Sequence, residues 1–465
     1  MPIDQGITAR NWATLGVLAI VMFLGGTDMT KVAVALPAMA SDIGLGPINT
    51  LWAADSYALA AGASLVPSAV LADRYGRKRI YLTGLGVALA AAALATMAES
   101  SEVLILTRAG QGLGSAMLIA ATVAIIRITF RGSDHRAVAY GVWTASFSAG
   151  SALGPMLGGA LVELGHWRWV FLVNLPVLGV CLILALIVLT ESKNPDAPVL
   201  DAASTLLSAG AVGLLIAGLK MLPEQQIPFW TTIVVLAGGM AAAVSFVIRQ
   251  LRMYRPFLDV RLFTQRNFAV AAVVVMVTNG VFTAVIFILT QRFQLVHGMS
   301  AVHAGITLMP LAISSALGGI VGPATQRRLG QNSTLVCGVA LTSVGLLLLT
   351  TVGPAIQMIT WLFIGVGAGV VMAIGANAIM NAAPEQRTAD AGAVQESSFA
   401  LGAGGGIATL GALSMYLDQT QGIPGPSGFY DQGATAALAI AAIAYTCFAI
   451  VAAVVLLGGR KEAEK

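Results

Sequence analysis

The chain has 465 residues, of which 57% are apolar and only 10% charged, and its mean hydropathy is +0.85. A soluble domain carries about 25% charged residues, so a fold this poor in polar side chains must be solvated by lipid over most of its exterior, which excludes a water-soluble enzyme or binding module. The net charge of +4 arises from basic residues scattered over short loops rather than gathered on one face, which argues against nucleic acid and reads as a topology signal.

The first residues are polar and lead into a long apolar run without a small-residue cleavage pattern, so the segment reads as a retained first helix. Fourteen apolar spans follow in chain order, each near the ~20 residues that cross a bilayer. They cover 13–36, 50–72, 79–98, 102–127, 135–162, 169–190, 200–221, 229–248, 267–292, 301–326, 333–352, 355–381, 389–416 and 434–458. An even number of crossings puts both termini on one side. On that side fall 20 of the 25 basic residues: Arg10, the Arg74–Arg79 cluster, Arg127, Arg131, Arg136, Lys193, the run from Arg249 through Arg252, Arg255 and Arg261 to Arg266, Arg327, Arg328, Arg387, Arg460, Lys461 and Lys465. Arg168, Lys220 and Arg292 fall on the other side, and Lys31 and Arg108 lie within the membrane. The bias makes the side of the termini cytoplasmic. The outer loops carry Asp42, Glu99, Glu102, Glu163, Glu224, Asp418 and Asp431 and nothing longer than a short turn such as Gly422–Gly428.

The loop after the second span reads Ala72-Asp73-Arg74-Tyr75-Gly76, and the loop after the tenth reads Gln326-Arg327-Arg328-Leu329-Gly330, a degraded echo at the matching place in a second half. The implied fold is an all-α membrane protein of six, two inserted and six helices. Its parts are residues 1–195, 196–250 and 251–465.

Two motifs carry conformational chemistry. Leu71 to Arg79 places Asp73 beside Arg74, Arg77, Lys78 and Arg79, so that an acid at a helix end pairs across to a neighbour, and Gly76 permits a tight turn. The fifth span holds Gly150, Gly154, Pro155, Gly158 and Gly159, an interval at which two backbones approach closely, with Pro155 bending the helix.

On these motifs the chain resembles the major facilitator superfamily, in its fourteen-helix branch of drug:proton antiporters. The Asp73–Arg79 loop is similar to the superfamily signature, and Gly150–Gly159 to the motif of its antiporters. Arg108-Ala109-Gly110-Gln111-Gly112 is similar to a third motif. Asp28-Met29-Thr30 with Ala35-Leu36-Pro37, and the stretch from Pro256 through Phe257 to Phe263, resemble the fourteen-helix branch. Trp52, Asp55 and Tyr57 are similar to the type that expels quaternary ammonium compounds and other lipophilic cations. The resemblance implies alternating access between two six-helix halves, a role for Arg108 in proton relay or conformational locking, and a bacterial cell membrane as the location. It also implies that fewer cavity acids, with Ser315 and Gln395 where some relatives carry carboxylates, favour monovalent cargo.

The residues point the same way. Asp28, Asp55 and Glu396 are the acids furthest from water, and an unpaired charge at such depth costs at least ~2.5 kcal/mol, so each should line an aqueous cavity or sit paired. A cavity carboxylate holds either a proton or a cation, so the two partners of exchange, protons and small lipophilic cations, displace one another. Lys31 lies one turn from Asp28, which leaves two readings of Asp28, coupling group or neutralised pair. Trp52, Tyr57, Trp143, Met309 and Phe399 offer aromatic and thioether surface to flat cations.

No phosphate-binding loop occurs, so no nucleotide drives the cycle. His135, His166, His297 and His303 are dispersed, and Cys181, Cys337 and Cys447 read as isolated buried thiols, so neither metal nor other cofactor is expected. The alternatives are an exporter of one antibiotic or metabolite on the same scaffold, for which Lys31 would suit an anionic or zwitterionic cargo, and a membrane enzyme or transporter-like receptor.

Overall fold

In a bilayer every backbone N–H and C=O has to find its partner within the chain, and the sequence answers with helices throughout. The computed structural model describes residues 8–130, 133–194, 201–222, 227–253, 256, 258–351, 354–382, 388–420 and 431–458. Of the residues read from sequence, Arg131, Glu224, Arg255, Phe257, Arg387, the turn Gly422–Gly428, Arg460, Lys461 and Lys465 lie outside that range, as do the side chains of Arg136, Asp418 and Asp431.

The helices are α1 (Ala9–Ile43), α2 (Pro47–Tyr75), α3 (Arg77–Thr96), α4 (Ser101–Thr129), α5 (Ser133–Leu164), α6 (Trp169–Leu172), α7 (Asn174–Val188), α8 (Ala202–Met221) and α9 (Phe229–Arg252). They continue as α10 (Arg266–Gln291), α11 (Ala301–Leu329), α12 (Gln331–Thr351), α13 (Pro354–Ala382), α14 (Thr388–Gly406), α15 (Ala412–Thr420) and α16 (Asp431–Gly458). Thr8, Ser100, Asp201 and Ser300 cap α1, α4, α8 and α11 by accepting from backbone N–H groups of the first turn. Gly76 and Gly330 both turn with positive φ, at 118° and 81°, so the two loops matched in sequence also share a single-glycine reversal.

Among the described residues, thirteen helical segments are long and apolar enough to cross a membrane. α2 is as long but less apolar, because Asp55, Ser56, Ser64 and Ser68 interrupt it, three of them buried in protein and none needing lipid. Each predicted span falls on helix, with two interruptions. The sixth breaks at Val173 into α6 and α7, where Pro176 has no N–H to return to Leu172. The thirteenth is α14, a π-helical turn at Ile407–Gly411, and α15.

Helices α1–α7 pack on one another, as do α10–α16, and α8 and α9 form a hairpin. Call the end where α1 begins and α16 finishes proximal, and the opposite end distal. One hydrophobic cluster unites the two groups at the distal end, joining Leu36 and Leu51 to Phe287, Leu308 and Met415. Towards the proximal end the cores are separate, one around Leu18, Tyr81 and Ile126 and the other around Phe268, Val275 and Ile374. Among the described residues the shared apolar core is therefore distal, and each proximal core belongs to one group alone. The α8–α9 hairpin lies on the side, its outward face rich in exposed Leu206, Trp230, Val234 and Met240. Its proximal end is clasped by Arg249, which donates to both Asp201 oxygens at 2.8 and 3.0 Å, and the guanidinium holds that carboxyl well below the usual range. Of the cysteines, only Cys181 is buried; Cys337 and Cys447, read from sequence as buried thiols, are exposed on helix surfaces.

Candidate functional site

Three acids sit at membrane depth, and the structure treats them differently. Asp28 accepts from Lys31 Nζ at 2.6 Å, one helical turn away. Asn174 of α7 closes the group, accepting from Lys31 at 2.6 Å and donating to both Asp28 oxygens at 2.9 and 3.0 Å. This triad faces the interior of the α1–α7 group, along a small cavity that Tyr57, Gln111, Ser115 and Phe147 also line. Of the two readings of Asp28, the pair with Lys31 is the one observed.

Arg108 belongs to the same interior. It is 1% exposed, donates to Gln111 Oε1 at 2.8 Å and lies 4.8 Å from the Tyr57 ring centroid, near enough to interact electrostatically with Asp28. It does not reach out to a membrane surface. Tyr57 donates to Ser115 at 2.9 Å.

Asp55 of α2 has a partner that the sequence did not announce. Lys220, in the last turn of α8, donates to its Oδ1 at 2.7 Å, and the two side chains are 0% and 1% exposed. The Lys220 ammonium also stands 3.4 Å from the centroid of the Trp52 ring. Lys220 is thus no outer-loop charge: α8 lies against α2 and the π-helical turn, packing Ile216 on Leu59 and Ala408, and this turns the lysine inward. The clue in the sequence is a cation within an otherwise apolar helical run.

Glu396 has no such counter-charge. Its recorded bond is from Gln395 Nε2 at 3.2 Å, and no cation pairs with it among the described residues. Its setting follows from how α2 and α14 run antiparallel past each other: Gly62 meets Ala400 and Leu401, Leu59 meets Gly404, and Leu51 meets Gly411. Glu396 lies one turn from Ala400 on the same face, on the proximal side, whereas Asp55 lies on the distal side of the crossing. At 1.5 Å per residue, the two carboxylates are separated by roughly 16 Å along the axes.

The remaining lining candidates do not converge on these acids. Trp143 is buried in the core of the first group, edge-on to Tyr140. Phe399 contributes its carbonyl to Asn279 Nδ2 at 2.6 Å, which ties α14 to α10. Met309 and Ser315 are half-buried on α11, the backbone of Ser315 lying against Gly369 of α13.

The two conformational motifs occupy the ends. Asp73, in the last turn of α2, pairs at 2.8 Å with Arg77, the first residue of α3, and so ties the two helices across the Gly76 turn. A second tie is made by Glu191, just beyond α7, whose oxygens accept from the Lys78 and Arg79 N–H groups at 3.2 Å. Around it Arg77 N–H donates to Ser192 O at 2.9 Å and Asn194 N–H to Asp73 O at 2.8 Å. The loop is strapped to α7 because three free N–H groups at the start of α3 need acceptors. On α5 the small residues form two faces. A Cβ at Gly150, Gly154 or Gly158 would collide with Phe23, Thr30 or Lys31 of α1, and one at Gly159 with Ala301 of α11, while Pro155 lies against Gly305. The motif therefore sits where the two groups meet.

A family model described as Major Facilitator Superfamily matches residues 18–407. The chain is 33% identical over 408 residues to the multidrug efflux pump LfrA of Mycolicibacterium smegmatis, covering 87% of this chain and 81% of that one. It is 33% identical over 411 residues to the methyl viologen resistance protein SmvA of Salmonella typhimurium, with 87% and 82% covered. It is 30% identical over 415 residues to the tetracenomycin C resistance and export protein of Streptomyces glaucescens, with 88% and 77% covered. In fold it is similar to a POT family transporter solved with 5-aminolevulinic acid, at a TM-score of 0.70 and 14% identity over 97% of this chain and 96% of that one.

Proposed function

The chain belongs to the Major Facilitator Superfamily and is a many-span membrane transporter, not an enzyme; from that premise we propose that it is a proton-coupled antiporter that expels lipophilic cations, quaternary ammonium compounds among them, across a bacterial cell membrane. The observation that carries the reading is Glu396, a carboxylate at membrane depth with no cation paired to it among the described residues. Charge at that depth is costly, so a lone acid there is either protonated or holding a cation, which is the exclusive choice an antiporter needs.

In this reading the chain crosses fourteen times, α2 included, as 1–195, 196–250 and 251–465, with both termini in the cytoplasm. The proximal end, where the two groups share no apolar core among the described residues, is then the cytoplasmic side. Glu396 releases its proton there to water and takes cargo in its place. Closure of the proximal ends and parting of the distal cluster would carry the occupied acid to the other side, where a proton from outside displaces the cation. The α5 glycines let α1 and α11 slide past at close range, and the Asp73–Arg79 loop strapped by Glu191 stabilises one of the two states. Arg108 and the Asp28–Lys31–Asn174 triad keep the first group rigid. The names of relatives such as methyl viologen resistance protein support cationic cargo, while tetracenomycin export supports the second reading, one antibiotic on the same scaffold.

The test is accumulation of a cationic dye by inside-out vesicles with an imposed proton gradient. Wild type accumulates the dye and Glu396→Gln does not. Gradient-driven accumulation by Glu396→Gln at the wild-type rate would remove the proposed coupling group.

A further inference from the structure

The inserted hairpin is the part of the molecule that the exchange scheme leaves without work, yet it places a charged side chain among the acids. A lysine near a helix end ordinarily snorkels towards water. Lys220 does the reverse, ending 1% exposed between Asp55 and Trp52.

What it fills is a cation site in its own right. One carboxylate and the face of one indole are the groups that recognise an organic ammonium, the first by charge and the second by its quadrupole. The site is not saturated by the lysine: only Oδ1 of Asp55 is bonded, and Oδ2 is buried with no hydrogen-bond partner among the described residues. A pair serving packing alone would have no use for the aromatic face and would be expected to satisfy both oxygens.

The lysine is also held by a helix that is weakly anchored. Among the described residues, the apolar contacts of α8 with the two helical groups gather on one strip, Ile216 and its neighbours against Leu59, Trp52 and Ala408, while much of the hairpin faces outward. That strip lies on the α2–α14 seam beside the π-helical turn, where the two groups have to move if access alternates.

We propose that Lys220 is a tethered stand-in for cargo: it occupies the Asp55–Trp52 site at rest and is exchanged there for a monovalent organic cation, which makes the α8–α9 hairpin a gate on that site. The inference rests on the cation-export reading and adds a second cargo station, on the distal side of the crossing, with its own built-in competitor. Because the competitor is covalently attached, the apparent affinity for cargo is reduced by the fraction of time the lysine is in place.

The experiment measures binding of tetraphenylphosphonium to the purified full chain. Lys220→Met is expected to bind it about tenfold more tightly than wild type, since removing the competitor raises the competent fraction. The gain is expected to vanish in Lys220→Met/Asp55→Asn and to shrink in Lys220→Met/Trp52→Leu. Should Lys220→Met not fold, wild type answers the question through reductive methylation of Lys220 read by mass spectrometry, which cargo is expected to accelerate. If wild type binds tetraphenylphosphonium while a folded Lys220→Met binds no more tightly, or methylation is indifferent to cargo, the stand-in role is overturned and the export reading survives. If neither wild type nor Lys220→Met binds the cation, both fall.

Discussion

Asp55 and Glu396 lie on two helices that cross at Gly62 and Ala400, and they are provided for in opposite ways. Asp55, on the side where the helical groups are joined, is sealed from solvent and neutralised by a lysine from a third element. Glu396, on the side where each group has its own core, has only a neighbouring amide. An acid with a tethered counter-ion keeps its charge, whether that ion or a cargo cation is its partner. An acid without one has to take up or give up a proton when its surroundings change, and only the second behaviour couples transport to protons. Asp28 falls with Asp55, since Lys31 and Asn174 satisfy it.

The contrast can be broken or sharpened by substitution. The largest effect is expected at Glu396: Glu396→Gln, which mimics the protonated acid, should fold but bind cargo more weakly and lose proton-driven transport down to the uncoupled background, as read in the vesicle assay. At Asp55 the expected effect is on stability. Asp55→Asn strands a buried lysine and should cost about 3 to 5 kcal/mol, and Asp55→Asn/Lys220→Met should recover most of it, as measured by unfolding of the purified protein. Recovery would be absent if the two residues did not act as a pair. For the triad, Asp28→Asn and Lys31→Ala should each cost about 2 kcal/mol through lost charged hydrogen bonds while leaving the pH dependence of transport unchanged; a shifted pH profile in either would return Asp28 to the coupling machinery. The smallest effect belongs to Glu191→Ala, which uncaps the start of α3 and should cost about 1 kcal/mol, with the exposed Arg79 contact at 3.8 Å adding little.

Local pattern was legible in the sequence and distant pairing was not. Apolar runs near 20 residues marked where the membrane-length helices lie, without their extensions or the breaks after α6 and α14, and the one-turn interval from Asp28 to Lys31 announced their contact. Gly150, Gly154 and Gly158 announced a close helix contact but not its partner, and the division of α5 into an α1 face and an α11 face appeared only in three dimensions. Lys220 reads as an outer-side charge because it lies near the end of a span; nothing in the spacing of residues tells that α8, besides pairing with α9, also packs on the distant α2. The Glu191 strap escaped for the same reason, as its acid lies far along the chain from the basic loop it serves. The break at Pro176 was legible in principle, since proline inside a span removes a helix bond.

The central claim is that Glu396 trades a proton for a cation, and the most direct test is proton release on adding a lipophilic cation to the purified, weakly buffered protein. Wild type is expected to acidify the medium in proportion to the cation bound, and Glu396→Gln to bind the cation more weakly and release no protons. Equal proton release from Glu396→Gln and wild type would contradict the account, and the exchange would have to be assigned to another group.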